Sequence, residues 1–159
     1  MIWWRLYSKL LGLLTDSEWH VRDGAARALE AMGEQGAGEE VVAKLLGLLS
    51  DSESYVRVRA ARALGAMGER AAREEVVAKL LGLLSDSESN VGVWAAQALG
   101  SLVSKVQPQL KPAFIKLVLP LSYAGNKWRG DKNYNKREAG YLALRNLMAA
   151  GWAEVGEAA

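Results

Sequence analysis

The 159-residue chain has no cysteine, one histidine and three prolines. Without cysteine there is no disulfide, no thiol nucleophile and no thiolate metal ligand. The lone histidine, His20, has only Glu18 and Asp23 beside it in sequence. That is too sparse a ligand set for a metal, and His20 reads as an exposed helix residue. No glycine-rich phosphate loop is present either, because Gly47 and Gly82 fall inside helical patterns rather than in a strand-to-helix turn. The scarcity of proline favours helices. No apolar run approaches the roughly 20 residues that a membrane-spanning helix needs. The first residues, Met1-Ile2-Trp3-Trp4-Arg5-Leu6-Tyr7, lack the basic stretch and small-residue cleavage site of a signal peptide. These absences lead us to expect a cytoplasmic protein with no membrane contact, no cofactor, no metal and no catalytic centre.

What is present is repetition. Residues 39–54 read EEVVAKLLGLLSDSES, and residues 74–89 read the same, 35 positions later. A weaker copy occupies residues 9–18. A period of this size marks a stack of helix pairs in which each pair cannot bury its apolar face alone. The expected fold is all-α, a solenoid of about four stacked antiparallel helix pairs forming a single domain over 1–159. The units are about 2–36, 37–71, 72–107 and a divergent 108–151, the last interrupted by a loop at 123–136. Near-identity of two repeats is what a recent duplication, a recombined array or a designed array would each leave.

The repeats supply their own register. In the second unit a first helix spans about Gly38 to Leu49, with Val42, Leu45, Leu46 and Leu49 at helical spacing and Val41 and Leu48 widening the stripe. Ser50-Asp51-Ser52-Glu53 ends it and offers N-cap oxygens to a second helix from about Glu53 to Met67. Gly68 follows, where a glycine can take the left-handed conformation that ends a helix. Across the second helices Val21, Val56 and Val91 recur. So do Ala25, Ala60 and Ala95; Ala28, Ala63 and Ala98; and Leu29, Leu64 and Leu99. These positions make one continuous face whose alanines let neighbouring helices approach closely.

At Asp51, Val56-Arg57 and Ala60-Ala61-Arg62-Ala63-Leu64-Gly65, and at the equivalent Asp16, Val21-Arg22 and Ala25-Ala26-Arg27-Ala28-Leu29, the sequence resembles the HEAT-repeat family, in particular its short bacterial type. The resemblance covers residues 9–104. It implies antiparallel helix pairs in a right-handed superhelix, and a link between adjacent repeats through Asp16, Asp51 and Asp86 with Arg22 and Arg57. Gly92 replaces the arginine in the third repeat, so the ladder is expected to be interrupted there.

Three surfaces emerge as candidates. Opposite the core, the second helices present His20, Gly24, Arg27 and Ala31, then Tyr55, Arg59, Arg62 and Ala66, then Asn90, Trp94, Gln97 and Ser101. In proteins of this family that stripe lines the concave face. Tyr55, Arg59, Arg62, Trp94 and Gln97 offer the aromatic and cationic types enriched at binding hot spots. A protein or peptide partner is the main expectation, with unselected drift on a solvated face as the alternative. The second candidate is the insertion, where Trp128 and Tyr134 sit among Lys127, Arg129, Lys132, Lys136 and Arg137. Interleaved rings and cations suit a nucleic acid or an acidic protein surface. Charge agrees: residues 1–99 hold 11 Lys/Arg and 14 Asp/Glu, whereas residues 100–159 hold 9 and 4. The third candidate is self-association through Trp3, Trp4 and Trp152 into a homo-oligomer. The competing readings for these tryptophans are contact with other repeats of a longer chain and simple capping of the ends.

Overall fold

The computed structural model describes residues 2–103 together with Lys105 and Arg145. Among the described residues six helices form three pairs: α1 (Ile2–Leu13) with α2 (Trp19–Met32), α3 (Glu39–Leu48) with α4 (Ser54–Ala66), and α5 (Glu74–Leu83) with α6 (Ser89–Val103). Short 3-10 turns, Gly33–Gly36 and Gly68–Ala71, lead from one pair to the next. The divergent fourth unit and its insertion lie outside the described residues.

Local chemistry sets the boundaries. Glu39 and Glu40 occupy the first turn of α3, and Glu74 and Glu75 that of α5, where the helix dipole favours negative charge. At the ends of α2 and α4, Gly33 and Gly68 adopt φ of 56° and 60°. The Gly33 N–H donates to the carbonyls of Leu29 and Glu30, closing the last turn of α2. Only glycine enters this left-handed region cheaply. At Gly68 a side chain would also collide with Glu34 from the preceding repeat.

The expected N-cap role of the Ser-Asp-Ser-Glu segment needs correction. The N-cap residues of α2 and α4 are Glu18 and Glu53, and neither side chain caps its helix. The aspartates instead tie the loop. Oδ1 of Asp16, Asp51 and Asp86 accepts the N–H two residues on, from Glu18, Glu53 and Glu88.

Those aspartates meet the next link in the chain, the arginines. Arg22 donates from Nε and Nη2 to both oxygens of Asp51, at 2.8 and 2.9 Å. Arg57 makes the same fork on Asp86, at 3.0 and 2.9 Å. The remaining Nη1 of each arginine reaches back into its own loop, to the carbonyls of Asp16 and Ser17 or of Asp51 and Ser52. One planar guanidinium thus fixes a loop and an inter-repeat contact together, which a lysine could not do. Burial opposes ionisation of Asp51, but the Arg22 guanidinium and the Glu53 N–H outweigh it and hold the carboxyl below the usual carboxylate range. In the third repeat Gly92 is buried, and a Cβ there would sit 3.4 Å from the Leu84 carbonyl oxygen.

The core is a column of leucine, valine and alanine. Leu14, Leu29, Leu45, Leu49, Leu64, Leu80, Leu84 and Leu99 are all buried. Consecutive second helices, α2 on α4 and α4 on α6, make the closest packing. Gly65 shows how close: a Cβ on it would lie 3.0 Å from the Ala98 Cα. Two expected core positions differ in the first repeat. Ala63 and Ala98 are buried but Ala28 is exposed, and Val56 and Val91 are buried but Val21 only partly. The first repeat has no described neighbour on its N-terminal side, so positions that face a preceding pair stay open.

Four variants test this account. Gly65→Ala pushes α4 away from α6 and costs about 1–3 kcal/mol. Gly47→Ala, at an exposed helical glycine with nothing within 4 Å of the new carbon, gains about 0.5–1 kcal/mol. Urea midpoints of the two variants should move in opposite directions. Removing one ladder carboxylate, by Asp86→Ala, strands a shielded guanidinium and costs about 3 kcal/mol in the same measurement. For Asp51 the depressed value sets the sign. Its contribution to stability is complete above the unfolded carboxyl value of about 3.9 and is lost as pH falls through the folded value. Acid unfolding of Asp51→Asn should therefore show a shallower loss below about pH 4 than the parent chain.

Candidate concave interface

Along the exposed stripe of the second helices the residues differ from repeat to repeat. Its side chains are organised in two groups. Near the start of α2 and α4, Trp19 and Tyr55 stack with ring centroids 6.0 Å apart, and His20 meets the Trp19 ring edge-on at 5.8 Å. Both stacked rings are exposed, Trp19 by 43% and Tyr55 by 68%. Stacked and exposed, the two rings offer a platform that a further apolar or planar group can cover.

Further along, α4 faces its neighbours with Arg59 and Arg62. Arg59 donates to Asp23 at 3.1 Å and to Glu30 at 3.4 Å, both on α2. Arg62 donates to Glu30 at 2.9 Å and lies over the Trp94 ring of α6, 4.3 Å from its centroid. Glu30 is thereby shared by two arginines. A hollow of about 230 Å³ opens beside this group, walled by Glu30, Arg62, Trp94, Gln97 and Ser101 with the α4–α6 backbone at Gly65 and Ala98. Arg27 is exposed on the same stripe one repeat earlier.

The structure therefore gathers five sequence-assigned residues on one face: Tyr55, Arg59, Arg62, Trp94 and Gln97. It also adds three that the sequence reading missed as part of it, Trp19, Asp23 and Glu30. The two carboxylates change the chemistry. Arg59 and Arg62 are not bare cations awaiting phosphates but members of a paired network across three helices. Such half-exposed pairs contribute about 0.5–1 kcal/mol each, so their larger effect is to fix where the guanidiniums and the Trp94 ring lie. Trp128 and Arg129 lie outside the described residues, and with them the insertion on which the nucleic-acid reading rests.

Of the residues assigned to self-association, Trp4 is exposed near the start of α1 and stacks on Tyr7 at 6.4 Å. Trp3 lies in α1 with its side chain outside the description, and Trp152 lies outside the described residues. Among the described residues no group of three or more His, Asp or Glu is placed to hold a metal ion. No described helix is long and apolar enough to cross a membrane.

Comparison with known proteins agrees with this geometry. A family model of HEAT repeats matches residues 42–119, and a model of the single HEAT repeat matches residues 6–36. No curated protein sequence matches the chain. Among solved structures, one engineered protein superposes with a TM-score of 0.65 at 23% identity, covering 94% of this chain and 69% of its own. A second engineered protein gives 0.61 at 22% identity, covering 94% and 71%. A designed armadillo repeat protein, solved in complex with the peptide (KR)4, gives 0.63 at 16% identity, covering 93% and 71%. At these identities the likeness is one of fold. The family matches, the 35-residue helix pairs and the aspartate–arginine ladder together place the chain in the HEAT-repeat family.

Proposed function

We propose that the protein is a binding scaffold whose concave face holds a polypeptide segment across the second helices. The observation that carries this is the pairing of two ring platforms on a stripe of the second helices whose residues change from repeat to repeat. These are Trp19 on Tyr55 and Arg62 on Trp94. Core positions such as Leu14, Leu49 and Leu84, or Leu29, Leu64 and Leu99, repeat because packing demands it. The stripe escapes that demand, yet it is neither flat nor uniformly charged. Tyr, Trp and Arg are the residue types that dominate binding energy when they are held rigid. The Asp23 and Glu30 carboxylates supply that rigidity here. A repeat protein of similar fold holds a peptide in its solved complex, which supports the general mode.

In this reading Tyr55 and Trp94 are the anchors, covering side chains of the segment. Arg59 and Arg62 keep their carboxylates and turn their remaining N–H groups to main-chain carbonyls, and Gln97 contributes its amide beside the hollow. The segment is bound by rings and neutral hydrogen bonds more than by net charge, so added salt should weaken binding only modestly.

A displayed library of random peptides, selected on the parent chain and re-measured on variants, tests the proposal. Tyr55→Ala and Trp94→Ala should each weaken the selected peptides by roughly 30-fold, the size of a hot-spot truncation of about 2 kcal/mol. An exposed change away from the stripe, such as Lys79→Ala, should leave them unaffected. Peptides that bind all three variants alike would remove the concave face from the function.

A further inference from the structure

The two joints between second helices are built differently on the exposed stripe. At the first, Glu30 of α2 takes Arg62 of α4, Nε at 2.9 Å and Nη2 at 2.6 Å. One repeat on, the residues equivalent to Glu30 and Arg62 are Gly65 and Gln97. The second joint therefore has no ion pair at the matching place. The hollow of about 230 Å³ lies there, between α4 and α6 and within the stack, and its walls include Gly65, Ala66, Ala98, Trp94, Glu30 and Gln97. Close packing keeps Gly65 a glycine, since a Cβ on it would lie 3.0 Å from the Ala98 Cα. The hollow and the close approach of α4 to α6 thus share one cause.

Two polar groups at its margin have capacity to spare. Among the described residues the Gln97 side-chain amide has no hydrogen bond. Glu30 Oε1 takes both Arg62 donors, whereas Oε2 takes only the longer bond from Arg59, at 3.4 Å. A carboxylate oxygen has two lone-pair sites, so Oε2 can accept again. Charge narrows the choice of occupant further. Asp23, Glu30, Arg59 and Arg62 balance one another, so neither a cation nor an anion finds an uncompensated partner.

Resting on the concave-face reading above, we infer that the hollow is the subsite for one tyrosine side chain of the bound segment. The ring lies against Trp94 and the small residues. The phenol donates to Glu30 Oε2 and accepts from the Gln97 amide. Size agrees: at about 30 Å³ for each water-sized group the hollow holds roughly eight heavy atoms, the content of a tyrosine side chain. Leucine or phenylalanine would cover the Gln97 amide and Glu30 Oε2 without pairing them, which is costly. Tryptophan donates but cannot accept. A lysine or arginine would compete with Arg62, which already holds both Glu30 and the Trp94 ring.

Displayed libraries of random peptides, alike except for a central residue fixed as tyrosine, phenylalanine or lysine, test this. Binders should come mainly from the tyrosine library. Changing that tyrosine to phenylalanine should weaken them about tenfold, the size of a hydrogen bond to a charged group. On Gln97→Ala the same change should cost about threefold or less, because one partner of the hydroxyl is gone. Ala66→Leu, at an exposed helical position, fills the hollow and should weaken the tyrosine peptides about tenfold or more while circular dichroism stays unchanged. Binders that need Tyr55 and Trp94 but accept phenylalanine or lysine equally would overturn the tyrosine subsite and leave the concave face standing. So would binders that hold Ala66→Leu as tightly as the parent. Binders indifferent to Tyr55→Ala and Trp94→Ala, or none from any library, would remove both readings.

Discussion

The fork between Arg22 and Asp51, repeated between Arg57 and Asp86, is the contact on which the rest of the stack depends. Apolar burial makes each helix pair compact, but it is non-directional and would tolerate many offsets between pairs. The guanidinium does not tolerate them. It demands a carboxylate in its plane from the next repeat and two carbonyls from its own loop. The same aspartate that receives the arginine also fixes the backbone leading into the following helix. Loop shape and repeat spacing are therefore one constraint, and the helices inherit their mutual placement from it. A buried ion pair of this sort adds little net stability compared with an apolar equivalent. Its physical role is to select one register from several that the leucines alone would accept.

The alanines act on the other side of the same problem. Ala60, Ala63, Ala95 and Ala98 allow α4 and α6 to close until backbone nearly meets backbone at Gly65. Leucines from the first helices fill the space behind. Large residues thus reside where pairs are wide and small ones where they are narrow, and the division is repeated at 35-residue intervals. This arrangement leaves the exposed stripe of the second helices free of packing duties. Trp19, Tyr55 and Trp94 can occupy it without disturbing the core.

The sequence revealed what recurs and concealed what does not. Comparing repeats located the helices to within a residue or two, the glycine at Gly68, and the core at Val56, Ala60 and Leu64, because identical neighbours force identical residues. The same logic misplaced Ala28, which repeats a core residue at a position with no described neighbour to cover it. It also credited the loop with N-capping, since an aspartate beside a helix start serves a cap and a loop anchor equally well in one dimension. The carboxylates that hold Arg59 and Arg62 escaped notice for a geometric reason. Arg59 meets Asp23 across 36 residues and Arg62 meets Glu30 across 32, neither being the repeat period. A search for opposite charges one repeat apart, allowing a helical turn either way, would have found them.

The bonds of Arg59 and Arg62 have one more property. They join α2 to α4 along the exposed stripe, while Arg22 and Asp51 join the same two repeats at the loop edge. Two sets of ties at different points across one joint resist rotation, as a single tie could not. The spacing between the ring platforms is therefore set twice over, and a change made at the loop edge would be felt at the stripe.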